Sequence, residues 1–348
     1  MSDRTVLTRR DAIYRIAAAS VGLALGGLID PAVASAQGRK RRVKPIPVIL
    51  DTDIGDDIDD TWALLMLLKS PQFDLRLVTT TNGKSEYRAK IAARFLQQAG
   101  RSDVPVGLGT GGRDGVGGQA DWVKDYRLSD YPGKVHEDGA QALIDTVNAL
   151  AKQGTPPTII GIGPLTTMGE VLTREPNIAT KASFSGMLGS VRKGYEGNPT
   201  PCVEWNMTYV FGAQKVFTAP WRHMAITPLD TCGLVRLRGE LFQNLADSAD
   251  PMVQALLENY RMWANKASVS ELKESSVLYD TVAVYLADPG PKPLLALEDL
   301  KIRVTDKGMT VIDPAGAPIT VAADWKDLPA YERHLVDVLL GPLVKARR

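Results

Sequence analysis

Ile46-Pro47-Val48-Ile49-Leu50 runs without a break into Asp51-Thr52-Asp53-Ile54-Gly55-Asp56-Asp57-Ile58-Asp59-Asp60, and that into Thr61-Trp62-Ala63-Leu64-Leu65-Met66-Leu67-Leu68-Lys69. The first run is short, continuous and apolar, the pattern of a strand buried on both faces. The last is apolar at helical spacing. Outward from this stretch the alternation repeats. Residues 75–81 read as a strand, 85–98 as a helix, 104–108 as a strand. Residues 139–152 read as a helix closed by Gly154 and Pro156-Pro157, 158–162 as a strand and 165–172 as a helix. Apolar runs at 184–188, 207–217 and 224–227 continue the pattern. Residues 301–321 read as late strands around Asp313-Pro314-Ala315-Gly316, and 330–340 as a final helix. This order predicts a single α/β domain over residues 46–348: an open, mainly parallel sheet with helices on both faces. Such sheets bind ligands at the carboxyl ends of their strands.

Lys plus Arg number 41 and Asp plus Glu 40, so nothing in the bulk charge marks a nucleic-acid binder, and none is expected as a partner. Two cysteines, Cys202 and Cys232, exclude a disulfide-built scaffold and read as small buried thiols. Residues 1–36 read as an address. Thr8-Arg9-Arg10-Asp11 precedes a mild apolar run, and Ala34-Ser35-Ala36 offers a small-residue cleavage site. The expectation is twin-arginine export to the periplasm or beyond, a basic linker at 37–45, and no stable membrane insertion after cleavage.

The acidic run places six carboxylates in ten residues, where a buried strand meets an apolar helix. Held together they repel, and a hard divalent cation with several oxygen ligands removes the conflict. Three known loops fail the test. Counted from Asp51, an EF-hand needs Gly and Glu where Asp56 and Trp62 stand; a P-loop needs Gly-Lys-Ser/Thr; a haloacid-dehalogenase-type loop needs a later Lys that cannot be placed.

Asp51-Thr52-Asp53-Ile54-Gly55 with the Asp59-Asp60 pair resembles the first motif of the nucleoside hydrolases, the inosine-uridine preferring group. Gly163-Pro164-Leu165-Thr166, Met187-Leu188-Gly189, Asn198 with Glu204 and Asn206, and Tyr279-Asp280-Thr281-Val282-Ala283 resemble that family's later motifs, in the right order. The resemblance implies a Rossmann-like core, one Ca²⁺, and hydrolysis of the N-glycosidic bond of a purine or pyrimidine ribonucleoside, in a homo-oligomer. It implies Asp53, Asp60, the carbonyl of Thr166 and Asp280 as metal ligands, and Asp53 as the base for the attacking water. Asp59, Asn82, Asn198, Glu204 and Asn206 would grip the ribose, and Tyr279 would lie beside the leaving base.

The chain departs from the family pattern in three places. Its acidic loop is two residues longer, which aligns Asp59-Asp60 rather than Asp56-Asp57 with the family pair. Lys84 stands where the family has Asn after Gly, with Asn82 two residues away. Tyr279 stands in place of a His. Two simpler readings stand beside these assignments: Asp280 as a helix cap and Asn198-Pro199 as a plain turn. A non-catalytic or very slow nucleoside-binding protein that keeps the metal site is the alternative function, kept open by Tyr279.

Overall fold

The computed structural model describes residues 44–346, which form one unit. The leader and nearly all of the basic linker lie outside the described residues. β1 (Ile46–Thr52) carries Val48 and Leu50 into one hydrophobic cluster and Ile49 into another. Successive strand residues point to opposite faces, so an unbroken apolar run is what a doubly covered strand requires. After β1 come α1 (Asp59–Leu68), β2 (Phe73–Thr80), α2 (Ser85–Gln98), β3 (Val106–Gly107), α3 (Ala120–Val123), β4 (Val135–His136), α4 (Gly139–Lys152) and β5 (Thr158–Gly161). Next are α5 (Thr166–Arg174), β6 (Ser183–Met187), α6 (Val210–Thr218), β7 (Met224–Thr227), α7 (Gly239–Ala246), α8 (Pro251–Trp263) and α9 (Tyr279–Leu286). The chain ends with β8 (Leu295–Val304), β9 (Thr310–Ile312), β10 (Ala317–Trp325) and α10 (Leu328–Leu340).

The strands form one sheet in the order β4-β3-β2-β1-β5-β6-β7-β10-β8-β9. Pairing is parallel from β4 through β7 and on to β10; β8 joins β10, and β9 joins β8, antiparallel. One face is covered by α1, α2, α8, α9 and α10, through residues such as Leu64, Phe95, Leu256, Val282 and Leu335. The other is covered by α4, α5 and α6, through Leu143, Val171 and Val216. The expected α/β architecture is the observed one.

Four local readings change. The strand expected over 104–108 keeps two residues, paired with β2 and β4. The apolar run 207–217 opens with a 3₁₀ turn, Trp205–Met207, before α6 begins at Val210. The late strands form an antiparallel edge. Finally, α7 and α8 fill a stretch in which no helix was expected. The start of α8 carries a readable signal: Asp250 accepts from the N–H groups of Met252 and Val253, with Pro251 at the first helical position.

Candidate active site

β1 lies between β2 and β5, so the chain moves outward from it in both directions, and the crevice past its carboxyl end is the sheet's switch point. A cavity of about 350 Å³ opens there. Asp53 enters it from the end of β1, Asp59 and Asp60 from the first turn of α1, and Tyr279 and Asp280 from the first turn of α9. Glu204 and Asn206 come from the 3₁₀ turn.

Asp59, Asp60 and Asp280 are buried, with carboxylate oxygens within 4.8 Å of one another. Thr52 Oγ1 donates to Asp60, and the Asp280 backbone N–H donates to Asp59 Oδ2 at 3.2 Å. Asp280 is not a cap: Leu278 holds that position, and no side chain caps α9. Burial first, then repulsion among neighbouring carboxylates, pushes Asp59 up to about 8 and Asp60 and Asp280 well above the usual carboxylate range. Arg88 opposes the rise of Asp60 without cancelling it, while Lys84 and Arg88 both form ion pairs with Asp56. Three buried carboxyl groups at this spacing must either hold protons or share a cation. The all-oxygen donor set fits a hard divalent ion. Asp59 and Asp60 fall in the carboxylate cluster, whereas Asp56, also on the cavity wall, is paired with Lys84 and Arg88.

Asp53 is also buried and pushed up to about 6, chiefly by burial, with Arg88 opposing that rise and Asp56 adding to it. Hydrogen bonding from the side chains of Asn82 and Trp205 holds it lower than burial alone would. The Gly163-Pro164-Leu165-Thr166 turn lies directly against it. A Cβ on Gly163 would sit 2.8 Å from the nitrogen and from Oδ1 of Asp53, so only glycine lets the turn approach. Thr166, the first residue of α5, ties this turn to the end of β2: its hydroxyl lies 2.7 Å from Thr81 Oγ1 and accepts from the Asn82 N–H at 2.8 Å.

Glu204 accepts from the N–H of Gly189 at 2.9 Å and of Asn206 at 2.7 Å, and burial pushes it up to about 8. Asn206 donates its amide nitrogen to the carbonyls of Met187 at 3.0 Å and Ile162 at 3.3 Å, which leaves its oxygen as the acceptor. Tyr279 is half-buried in the cavity wall, edge-on to Tyr195, and burial raises its phenol above the ordinary value. Asn198 is exposed and away from the cavity lining; its side-chain oxygen takes the Thr200 N–H in a turn. Tyr195, which the sequence reading passed over, lines the cavity and accepts from the Trp205 N–H at 2.9 Å. Nothing in its local sequence marks it. Trp205 lines the cavity while remaining 55% exposed, so it forms a lip rather than core.

Comparison with known proteins agrees with this geometry. The family model described as inosine-uridine preferring nucleoside hydrolase matches residues 48–335. A non-specific ribonucleoside hydrolase of Klebsiella pneumoniae is 28% identical over 327 residues, covering 84% of this chain and 98% of the relative. One of Salmonella paratyphi B is 26% identical over 301 residues, covering 80% and 93%. Among solved structures, a plant nucleoside hydrolase has a TM-score of 0.68 at 23% identity, covering 86% of this chain and all of that one. A purine-preferring ribonucleoside hydrolase from Gardnerella vaginalis has 0.66 at 21%, covering 84% and 98%. These structures share the fold. The family match runs from β1 into α10 and takes in every strand and each wall of the acid-lined cavity, and on it the chain belongs to the inosine-uridine preferring nucleoside hydrolase family of enzymes.

Proposed function

We propose that this enzyme hydrolyses the N-glycosidic bond of ribonucleosides, releasing ribose and free base, with one Ca²⁺ in the acidic cavity. The observation that carries the reading is the buried Asp59–Asp60–Asp280 cluster in a cavity that Asp53, Glu204 and Asn206 also line. Asp60 and Asp280 would hold the ion, with Asp59 in the same reach, Asp53 alongside and the Thr166 carbonyl from the neighbouring turn. When bound, the ion supplies charge neutralisation and Lewis acidity.

The chain's own residues supply the rest. Asp53, buried at the end of β1 and lining the cavity, takes the proton of the attacking water as general base. Glu204, Asn206 and Asp59 hold ribose hydroxyls, Asn206 through the oxygen its backbone contacts leave free. The carboxylate-lined wall favours positive charge developing on the ribose as the C–N bond breaks and its electron pair leaves with the base. Tyr279, whose side chain lines the wall, is the proton donor to that base.

Tyr279→Phe tests this donor. It keeps ring and volume and removes only the hydroxyl. Hydrolysis of nucleosides should fall by about a hundredfold or more, while an activated p-nitrophenyl riboside, which needs no acid, should be cleaved almost normally. Equal rates on every nucleoside would leave Tyr279 as a wall only.

We also propose that residues 1–36 direct export through paired Arg9 and Arg10. Changing both to Lys should leave precursor in the cytoplasm with its enzyme domain folded. Unchanged export would remove the twin-arginine reading.

A further inference from the structure

Two departures from the family pattern meet in space. Asp56 belongs to the lengthened acidic loop, and Lys84 stands in the slot of the family Asn. Lys84 Nζ donates to Asp56 Oδ1 at 2.6 Å, and Arg88 Nη2 to Asp56 Oδ2 at 2.8 Å. Arg88 is fully buried. Its remaining donors reach the carbonyls of Asp53 and Ile54 on the acidic loop and those of Asn82 and Gly83 after β2. A guanidinium out of water is tolerated only where its fork is filled, and this one is filled by two loops at once.

Other segments close on the same point. Trp263 Nε1 donates to the Asp56 carbonyl at 2.8 Å. A Cβ on Gly117 would lie 2.2 Å from the Gly55 carbonyl and 3.0 Å from Asp56 Oδ1, and one on Gly115 would lie 2.9 Å from Lys84 Cγ. Lys84 and Asn82 both hold φ above +45°, a conformation that residues with side chains keep only where their surroundings fix it.

We propose that Asp56, Lys84 and Arg88 form a positioning clamp that fixes Asp53 relative to the carboxylates of α1. The longer loop and the lysine compensate one another and act as a unit. Lys84 and Arg88 lie outside the cavity lining and act through Asp56, which stands on its wall. The proposal rests on the reading of Asp53 as the base only for its effect on rate.

A double-mutant cycle on Asp56→Asn and Lys84→Met, both partly exposed positions, tests it. Each single variant should lose about ten- to a hundredfold in kcat at saturating Ca²⁺ with the nucleoside KM within about threefold, since a small misplacement of a reacting group is costly. The double variant should lose no more than the worse single one, because the two act together. Calorimetric Ca²⁺ affinity without substrate should show the same pattern, about tenfold weaker in each variant and no weaker in the pair. Arg88→Lys keeps the charge but not the fork, and should fall with Asp56→Asn while still unfolding cooperatively. Wild-type kcat and Ca²⁺ affinity in either single variant, or losses that multiply in the double, would overturn the clamp. If the wild type releases no ribose, the functional reading fails and the calorimetric cycle still decides the clamp.

Discussion

Asp53→Asn should abolish ribose release at saturating Ca²⁺ and leave the protein folded. The amide keeps the shape of the carboxylate but cannot take a proton, and a general base is worth on the order of a hundred- to ten-thousandfold in rate. Asp53 sits between Gly163, whose missing side chain makes room for it, and Arg88, which holds its carbonyl. Its position is therefore set by backbone, and the substitution should change chemistry rather than geometry. Weakened Ca²⁺ binding is a second route to inactivity, so affinity is measured on the same variant. Activity within tenfold of wild type at full Ca²⁺ occupancy would remove Asp53 as the base.

The second large effect is on stability. Burial leads in raising Asp51 and Asp59 to about 8, Glu204 to about 8 and Asp53 to about 6. Asp51 also has a buried Oδ2 without a hydrogen-bond partner. A carboxyl whose folded pKa is raised holds its proton more tightly folded than unfolded. Its favourable contribution is complete below the unfolded value near 4 and is lost as pH rises through 6 to 8. The metal-free protein should therefore melt at lower temperature at pH 8 than at pH 6, with a slope of up to about 1.4 kcal/mol per pH unit for each extra proton held. Ca²⁺ would replace only the protons of the carboxyls that hold it, Asp59 among them, so its stabilisation should grow over the same window. At a thousandfold excess over Kd it is worth about 4 kcal/mol. Asp60→Asn should remove most of that gain. Melting curves at both pH values, with Ca²⁺ and with chelator, check this. An Asp60→Asn protein with the wild-type Ca²⁺ shift would move the ion elsewhere along the acidic loop.

The sheet was legible where burial dictates composition. β1 must be apolar on both sides, and α2 and α4 begin and end where the pattern places them; α4 is punctuated locally by the Asp138 cap, Gly154 and the Pro pair. The two-residue strands β3 and β4 exist only through their neighbours, so propensity cannot delimit them. The apolar stripes of α7 and α8 are interrupted by Gln, Asn and Glu, and Asp250-Pro251 is the clearest local sign of α8.

The site divides the same way. Asp53, Asp59, Asp60, Glu204, Asn206, Tyr279 and Asp280 lie in the motifs that resemble the family, and the fold brings all of them to one cavity. Asn198 shares the spacing but is held in an exposed turn by Thr200. Arg88 is a lone cation on the buried side of an ordinary helix, and its partners lie up to 35 residues away in sequence. No spacing rule joins Lys84 to Asp56; only the approach of the two loops does.

The most direct measurement is free ribose from inosine, adenosine, uridine and cytidine, incubated with protein stripped by chelation and then restored with Ca²⁺. The account predicts ribose from at least one nucleoside with Ca²⁺, loss of that release on chelation, and recovery on Ca²⁺ addition. No ribose from any nucleoside under Ca²⁺, or release unaffected by chelation, would contradict it.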